Sequence, residues 1–148
     1  MAVKVVKFGG TSLCSAESFK KVKEIIMADK ARKYVVPSAP GKRFPGDEKI
    51  TDLLYLCYAQ NVGGLSFDET FDQIAERYTG IEAGLGLKTN IGAELTAIKK
   101  NILGGASEDY IASRGEYLNG MLLADYLGFG FLDAAELVSF HSDGTYDD

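Results

Sequence analysis

The order of elements in the first 36 residues constrains the fold more than any other feature. Residues 3–8, VKVVKF, predict a strand whose valines suit a buried position in a parallel sheet. A helix should follow, with Ser15 as its N-cap and apolar residues at helical spacing to about residue 29. Residues 33–36, KYVV, predict a second strand. This βαβ unit requires a parallel sheet and a right-handed crossover, so the sequence predicts an α/β protein.

Four further helices are predicted after an exposed loop, APGKRFPGDEK, that follows Pro37. Thr51 is a candidate N-cap for the first of them, and Ser66 with Glu69 reads as a capping box for the second. The third has isoleucines and a leucine spaced four, three and four residues apart from Ile91, and the fourth stops at Gly128. The second is expected to carry Phe67, Phe71, Ile74 and Tyr78 on one face.

Residues 80–89 are rich in glycine and predict an irregular segment, whereas 129–132, FGFL, predict a third strand. Three strands beside five helices are few for an α/β sheet, and an open sheet of three strands would leave its edges uncovered. The imbalance indicates that the chain is a piece of something larger. A sheet with unpaired edges also predicts that the chain alone is marginally stable or prone to associate.

Composition narrows the class of protein. A chain of 148 residues matches one domain, and its net charge of −5 argues against a non-specific nucleic-acid surface, which needs a clustered excess of basic residues. There is no apolar run of about 18 residues to predict a membrane helix, and the N-terminal sequence does not resemble a signal peptide. Cys14 and Cys57 are far apart and predict reduced, packing thiols, so the sequence predicts a cytoplasmic protein.

The turn at residues 7–12, KFGGTS, is the first candidate for chemistry. Glycines let the backbone approach an anion, and Lys7 could supply a mobile positive charge to a phosphoryl group. A plain strand-ending turn with a solvated lysine explains the same residues. The chain has neither GxxxxGK[ST] nor GxGxxG after the first strand, so a nucleotide site here would be neither a Walker P-loop nor a dinucleotide turn.

Several motifs in order resemble those of the aspartokinases, in the amino-acid kinase superfamily. They are KFGGTS (7–12), VVPSAPGK (35–42), ITDLL (50–54), SRGEYLNGMLLADYLG (113–128) and FLDAAELV (131–138). The resemblance implies a three-layer α/β sandwich with a mainly parallel central sheet. It also implies that residues 1–148 are the N-terminal part of a catalytic domain, without its remainder and without the regulatory ACT domains.

The implied reaction is ATP-dependent phosphorylation of the β-carboxylate of L-aspartate to 4-phospho-L-aspartate. This is the first step toward lysine, threonine and methionine, and the parent enzyme is expected to be a homo-oligomer. The resemblance assigns Lys7 to catalysis and, with Phe8, Gly9 and Gly10, to nucleotide binding. It assigns substrate binding to Ser38, Thr51 and Glu116. Mg²⁺ would be bound mainly through the phosphates of ATP, with no residue here as a direct metal ligand.

These roles agree with the chemistry of the reaction. The β-carboxylate is already ionised at neutral pH, so no general base is needed, and a chain with one histidine and no catalytic triad suits that requirement. His141 is expected at the surface, and Arg114 is interpreted as a solvated or structural residue. An acidic group such as Glu116 would meet the α-ammonium group of aspartate.

Two departures from the family pattern leave alternatives open. Pro37 is inserted before Ser38, and the loop from Gly41 to Ile50 is long and charged, which affects the placing of Ser38 and, to a lesser degree, of Thr51. A larger departure is that the later glycine-rich segment of the family has no counterpart. The chain alone is therefore expected to lack part of the active site. The alternatives are a non-catalytic aspartate-binding fragment and another kinase of the same superfamily.

Overall fold

The computed structural model describes residues 2–147. Its strands and helices follow the predicted order as far as residue 127. Their bounds are β1 Lys4–Phe8, α1 Ala16–Met27, β2 Arg32–Pro37, α2 Ile50–Val62, α3 Asp68–Leu85, α4 Ile91–Leu103, α5 Glu108–Leu127, β3 Ser139–Phe140 and β4 Tyr146–Asp147. Two short 3₁₀ turns lie at Gly10–Leu13 and Ala134–Glu136.

The predicted βαβ unit is present. β1 pairs with β2 in parallel, with Lys7 opposite Val36 and Phe8 opposite Pro37, and α1 connects the two strands. Ser15 is the N-cap of α1, as predicted, and its hydroxyl accepts a hydrogen bond from the backbone amide of Ser18. The protein is thus α/β with a small parallel sheet, as expected, and the sheet formed by residues 2–147 is incomplete.

Helices supply most of the core. α2 packs against α3, α4 and α5, while α1 packs against α3 and α5 lies against β2. The predicted apolar faces are confirmed, because the residues named for α3 and α4 are all buried: Phe67, Phe71, Ile74, Tyr78, Ile91, Leu95, Ile98 and Ile102. Gly104 and Gly128 follow the last residues of α4 and α5, where the sequence predicts the helices to stop.

The first strand is less buried than predicted. Val3 and Val5 are 59% and 67% exposed, and Val6 is half-buried. A parallel strand becomes buried only when other elements cover both of its faces. Because β1 pairs with β2 alone among the described residues, most of its surface stays accessible.

The predicted strand at 129–132 is wrong. These residues have no regular structure, and a short antiparallel hairpin of β3 and β4 follows them instead. The Phe131 ring packs edge-on against the Tyr117 ring of α5, with 5.5 Å between the ring centroids. The apolar run therefore packs against a helix and pairs with no strand.

Three predicted helix details are also wrong. α2 begins at Ile50 with Lys49 as its N-cap, so Thr51 lies inside the first turn. The N-cap of α3 is Phe67, which leaves Ser66 one residue too early to form a capping box with Glu69. α3 continues to Leu85 because Ile81 is buried in the core, so only the end of the segment 80–89 is irregular.

Candidate active site

Three segments of the chain meet at the carboxyl ends of the two parallel strands. The backbone amide of Ser38 donates to the carbonyl of Phe8 at 3.0 Å, and that of Gly41 donates to the carbonyl of Gly10 at 2.9 Å. These bonds join the turn after β1 to the loop after β2. Ligands of open α/β sheets bind at this end of the strands, so the junction is the candidate site.

α5 contributes two side chains to the same junction. Glu116 accepts a hydrogen bond from the backbone amide of Ala39, with 3.2 Å between Oε1 and N. Asn119, one turn later, donates from Nδ2 to the carbonyl of Ser38 at 2.7 Å. The Asn119 side chain is fully buried, and its Oδ1 has no hydrogen-bond partner within residues 2–147. α5 therefore holds the loop after β2 through two side chains on one face.

The two glycines of the turn differ in what surrounds them. A Cβ at Gly10 would lie 2.7 Å from the carbonyl oxygen of Ala39, and one at Gly41 would lie 2.8 Å from the carbonyl carbon of Gly10. Gly10 thus makes room for the neighbouring loop. Gly9 has no atom within 4 Å of its Cβ position and is exposed, so its backbone is the part of the turn that a ligand can approach.

A third glycine lets α5 come close to the loop. A Cβ at Gly115 would lie 2.7 Å from the Cβ of Ala39. The carbonyl of Gly115 accepts a hydrogen bond of 2.7 Å from the hydroxyl of Tyr78, which is fully buried. Burial raises the pKa of Tyr78 well above its ordinary value, and the nearby negative charge of Glu116 adds to the effect. Tyr78 therefore remains a neutral donor that fixes the helix beside Glu116.

The remaining predicted residues lie at the edges of the junction. Lys7 is exposed on β1, and its ammonium group has no hydrogen bond or ion pair to any residue from 2 to 147. Thr51 is half-buried in the first turn of α2, next to Ile50, whose amide donates to the carbonyl of Pro40 at 3.1 Å. Hydrogen bonds thus join the segments that carry Phe8, Gly10, Ser38 and Glu116, whereas the side chains of Lys7 and Thr51 make no hydrogen bond to these segments within residues 2–147.

Sequence reasoning missed a buried group of charges behind the loop. Arg77 of α3 and Asp47 of the loop are 6% and 7% exposed, and 2.8 Å separates Arg77 Nη2 from Asp47 Oδ2. Arg43 also donates to both carboxylate oxygens of Asp47. Hydrogen bonds from Arg43 hold the pKa of Asp47 well below its usual range, and the charge of Arg77 acts in the same direction. The signal in the sequence was Arg77 three residues after the buried Ile74, on an apolar helix face.

Arg114 has a structural environment. Its guanidinium carbon lies 4.6 Å from the ring centroid of Tyr110 and 4.5 Å from that of Tyr117, which are cation–π distances. His141 is exposed in the C-terminal hairpin. Cys14 and Cys57 are both buried free thiols, and burial raises the pKa of Cys57 to about 12. These observations agree with the packing interpretation of both cysteines.

Two absences concern residues 2–147 only. No cluster of three His, Cys, Asp or Glu side chains there could bind a metal ion. None of the helices in this range combines enough length with enough apolar character to span a bilayer.

Comparisons with known proteins agree with the resemblance seen in the motifs. Aspartokinase 3 of Bacillus subtilis (strain 168) is 38% identical over 133 residues, which are 86% of this chain and 29% of that protein. The crystal structure of Clostridium acetobutylicum aspartate kinase is 53% identical and superposes with a TM-score of 0.96, over 99% of this chain and 34% of that one. No family model matches the chain.

More distant structures share the fold. Escherichia coli aspartokinase III in complex with aspartate and ADP superposes with a TM-score of 0.65 at 24% identity. The complex of the same enzyme with lysine and aspartate gives a TM-score of 0.68. This chain spans only about a third of the length of each of the proteins it matches. By sequence and by fold, the chain is a homologue of the aspartokinases over that part of their length.

Proposed function

We propose that the chain is the N-terminal part of the catalytic domain of an enzyme that transfers the γ-phosphoryl group of ATP to the β-carboxylate of L-aspartate, giving 4-phospho-L-aspartate. The observation that carries the proposal is the position of the Glu116 carboxylate, which lies against the Ser38–Ala39 backbone at the end of β2, where that backbone pairs with the turn after β1. One junction thus presents an acid next to a glycine turn.

The chemistry of the substrate explains why both parts are needed. L-Aspartate has one ammonium group and two carboxylates, so a site needs an acid for the ammonium and neutral or cationic donors for the carboxylates. In this proposal Glu116 binds the ammonium group, and the hydroxyls of Ser38 and Thr51 lie near the substrate. The β-carboxylate attacks without a general base because it is already ionised at neutral pH.

The turn after β1 fits a nucleotide phosphate. Gly9 is exposed and leaves its Cβ position open, so a phosphate oxygen could approach the backbone of Phe8, Gly9 and Gly10. The exposed ammonium of Lys7 would stabilise the charge on the transferring phosphoryl group, and Mg²⁺ would be bound mainly through the phosphates. The E. coli homologue has been crystallised with aspartate and ADP, which supports both ligands.

The same proposal covers the setting of the parent enzyme. The chain spans about a third of its relatives, so residues outside the matched third would complete the site. We propose a cytoplasmic homo-oligomer that catalyses the first step toward lysine, threonine and methionine. Nucleic acid and membranes are not among its proposed partners.

The decisive experiment is aspartate-dependent ADP release, measured with ATP and Mg²⁺. The 148-residue chain would be compared with a chimaera in which it replaces the matching third of the C. acetobutylicum enzyme. We expect turnover by the chimaera only. Turnover by the chain alone would show that the missing part is dispensable, and an inactive but folded chimaera would contradict the proposal.

The chimaera also tests the role of Lys7. Removing a group that stabilises charge in a transition state typically lowers kcat about 10²- to 10³-fold, so Lys7→Ala should do this with little change in aspartate affinity. Lys21→Ala, which removes an exposed charge from α1, is the matched control and should leave kcat within about twofold. Equal losses of turnover and of aspartate binding in Lys7→Ala would argue against the catalytic assignment.

Aspartate binding without turnover is the second candidate function. Glu116 favours it specifically, because Glu116 already sits at the junction in this chain without the missing part of the enzyme. Aspartate titrated into the chain alone would decide: binding lost in Glu116→Gln would favour it. A panel of other amino acids tested on the chimaera would identify another kinase of the superfamily.

A further inference from the structure

The loop between β2 and α2 has little apolar material to hold it in place. Residues 42–46 are exposed, including Phe44 at 56%, and the segment has no regular secondary structure. Its buried residues are a few small ones next to β2 and, further along, Asp47. A loop of this kind is held mainly by polar contacts, because few of its side chains can contribute hydrophobic burial.

Arg77 contributes three of those polar contacts from α3. Its Nη1 donates to the carbonyl of Gly41 at 2.8 Å, and its Nη2 donates to Asp47 Oδ2 at 2.8 Å and to the carbonyl of Glu48 at 3.3 Å. One planar guanidinium thus bonds both ends of an eight-residue stretch of loop. A lysine could not, because its single ammonium cannot reach divergent acceptors in fixed directions.

Gly41 is hydrogen-bonded both to Arg77 and to the turn after β1. Its carbonyl accepts from Arg77, and its amide donates to the carbonyl of Gly10 at 2.9 Å. The two glycines are also in backbone contact that leaves no room for a Cβ on either side. Two hydrogen bonds in series therefore connect Arg77 to the turn that carries Gly9 and Gly10.

We propose that Arg77 is a positioning residue, which acts through Gly41 to hold the turn at residues 7–12 in its nucleotide-binding conformation. It touches neither the turn nor the groups assigned to the substrates. For its catalytic consequence the inference rests on the proposed function, whereas the physical coupling from Arg77 to the turn does not.

Amide hydrogen exchange on the 148-residue chain tests the coupling without reference to activity. Arg77→Met keeps most of the side-chain volume but removes every bond to the loop, and Arg77→Lys keeps the charge but loses the fork. The probes are the Gly41 amide and the Ser12 amide, which donates to the carbonyl of Gly9 within the turn at 3.0 Å. Both variants should speed exchange of these two amides about tenfold or more, as expected for the loss of a hydrogen bond that holds a local structure closed. Amides in the middle of α4 should not change.

Arg43→Met is the matched control. Arg43 also binds Asp47 but makes no bond to Gly41 or Glu48, so its loss should leave Gly41 exchange within about twofold of the parent chain. If Arg77→Met does not fold, Arg77→Lys decides the outcome. Unchanged protection of Gly41 and Ser12 in a folded Arg77 variant overturns the proposal, as does an equal effect of Arg43→Met.

The chimaera provides the catalytic arm. Misplacement of a binding loop by about 1 Å can cost up to 10²-fold in rate, so Arg77→Lys should lower kcat/KM for ATP at least tenfold. A melting temperature well above the assay temperature shows that the variant is fully folded when its rate is measured. If Arg77 were merely structural, Arg77→Lys would lower the melting temperature and leave the kinetic constants of the folded enzyme unchanged. That result would overturn the inference. An inactive parent chimaera would contradict the proposed function, and hydrogen exchange would then decide on Arg77.

Discussion

At the scale of single residues, Asp47 shows how a buried charge is stabilised in this protein. Its carboxylate accepts two hydrogen bonds from the Arg43 side chain and one from Arg77, and the Arg43 backbone amide adds a fourth. Burial of Arg77 lowers its pKa from the ordinary value, and the charge of Arg43 acts in the same direction. Removing one partner of such a group is more damaging than replacing the whole group, because the remaining charge stays buried.

The pH dependence of stability should report this carboxylate. The pKa of Asp47 in the native chain lies below its value in the unfolded chain. The Asp47 carboxylate therefore stays ionised in the native chain at a pH where it takes up a proton in the unfolded chain. The stability that Asp47 contributes is therefore complete above about pH 5 and is lost as the pH falls below about 4. Asp47→Asn should lower the free energy of unfolding at pH 7 by roughly 2 kcal/mol and flatten its decline between about pH 4 and pH 2.

Urea unfolding at a series of pH values measures this effect. Asp72→Asn removes an exposed carboxylate from α3, the helix that carries Arg77, and serves as the control. A parent chain and an Asp47→Asn variant with parallel pH profiles would show that the Asp47 cluster contributes nothing to the acid sensitivity.

At the scale of elements, α5 approaches the loop after β2 through a residue without a side chain. An alanine at position 115 would place its Cβ 2.7 Å from that of Ala39 and 3.3 Å from Leu54 Cδ1. Gly115→Ala should therefore destabilise the chain by about 1–3 kcal/mol through overpacking. It should also displace Glu116 from the Ala39 amide, which the chemical shift of that amide would record.

The matched control is another glycine inside a helix. Gly80 of α3 is exposed and has open space at its Cβ position, so Gly80→Ala should stabilise the chain by about 0.5–1 kcal/mol. Denaturant midpoints of the two variants should move in opposite directions. A neutral or stabilising Gly115→Ala would show that the α5–loop contact relaxes easily.

The elements also show what local sequence can and cannot reveal. The helix from Ile91 and the βαβ unit were predicted because their apolar periods repeat over several turns or residues. The strand at 129–132 was wrong, because alternation shows a face but not whether a neighbouring strand is available; Phe131 packs on Tyr117 instead. α3 continues past Gly80 for a similar reason, since burial of Ile81 outweighs the local propensity for a turn.

The candidate site, too, was only partly predictable from the sequence. The motif at 7–12 and the Gly115-Glu116 pair were visible as short patterns, and the structure joins their segments through Ser38 and Ala39. The pair of Asp47 and Arg77 was not visible in the sequence, because thirty residues separate them and no period in the sequence relates a loop to a helix face. Contacts at such separations arise only from the way the elements pack.

At the scale of the whole molecule, an apolar groove of about 720 Å³ lies between β2, α5 and the segment 129–140. Several large apolar side chains in it are about half to two-thirds exposed: Tyr34, Val36, Leu132, Leu137 and Phe140. Exposed apolar surface on this scale is unusual for a stable monomer. It agrees with the expectation that the chain alone tends to associate.

A dye that binds apolar surface should detect the groove. The native chain should enhance the fluorescence of anilinonaphthalene sulfonate. Its sedimentation coefficient should fall as the protein concentration is lowered, as expected for weak self-association. The double variant Leu137→Ser and Phe140→Ser should reduce both effects and keep the helical circular dichroism. Ser substitutions at Val62 and Leu103, exposed residues away from the groove, are the control. A native parent chain without dye binding would contradict this prediction.

The contact between Gly10 and Gly41 has a consequence for protein engineering. Because the two backbones leave no space for a side chain on either partner, the six-residue motif KFGGTS is only half of a structural unit. Grafting it onto another strand would leave the Gly10 side of the turn without the loop that packs there. The smallest transplantable module comprises the first strand, the loop after the second and the helix face that bears Arg77.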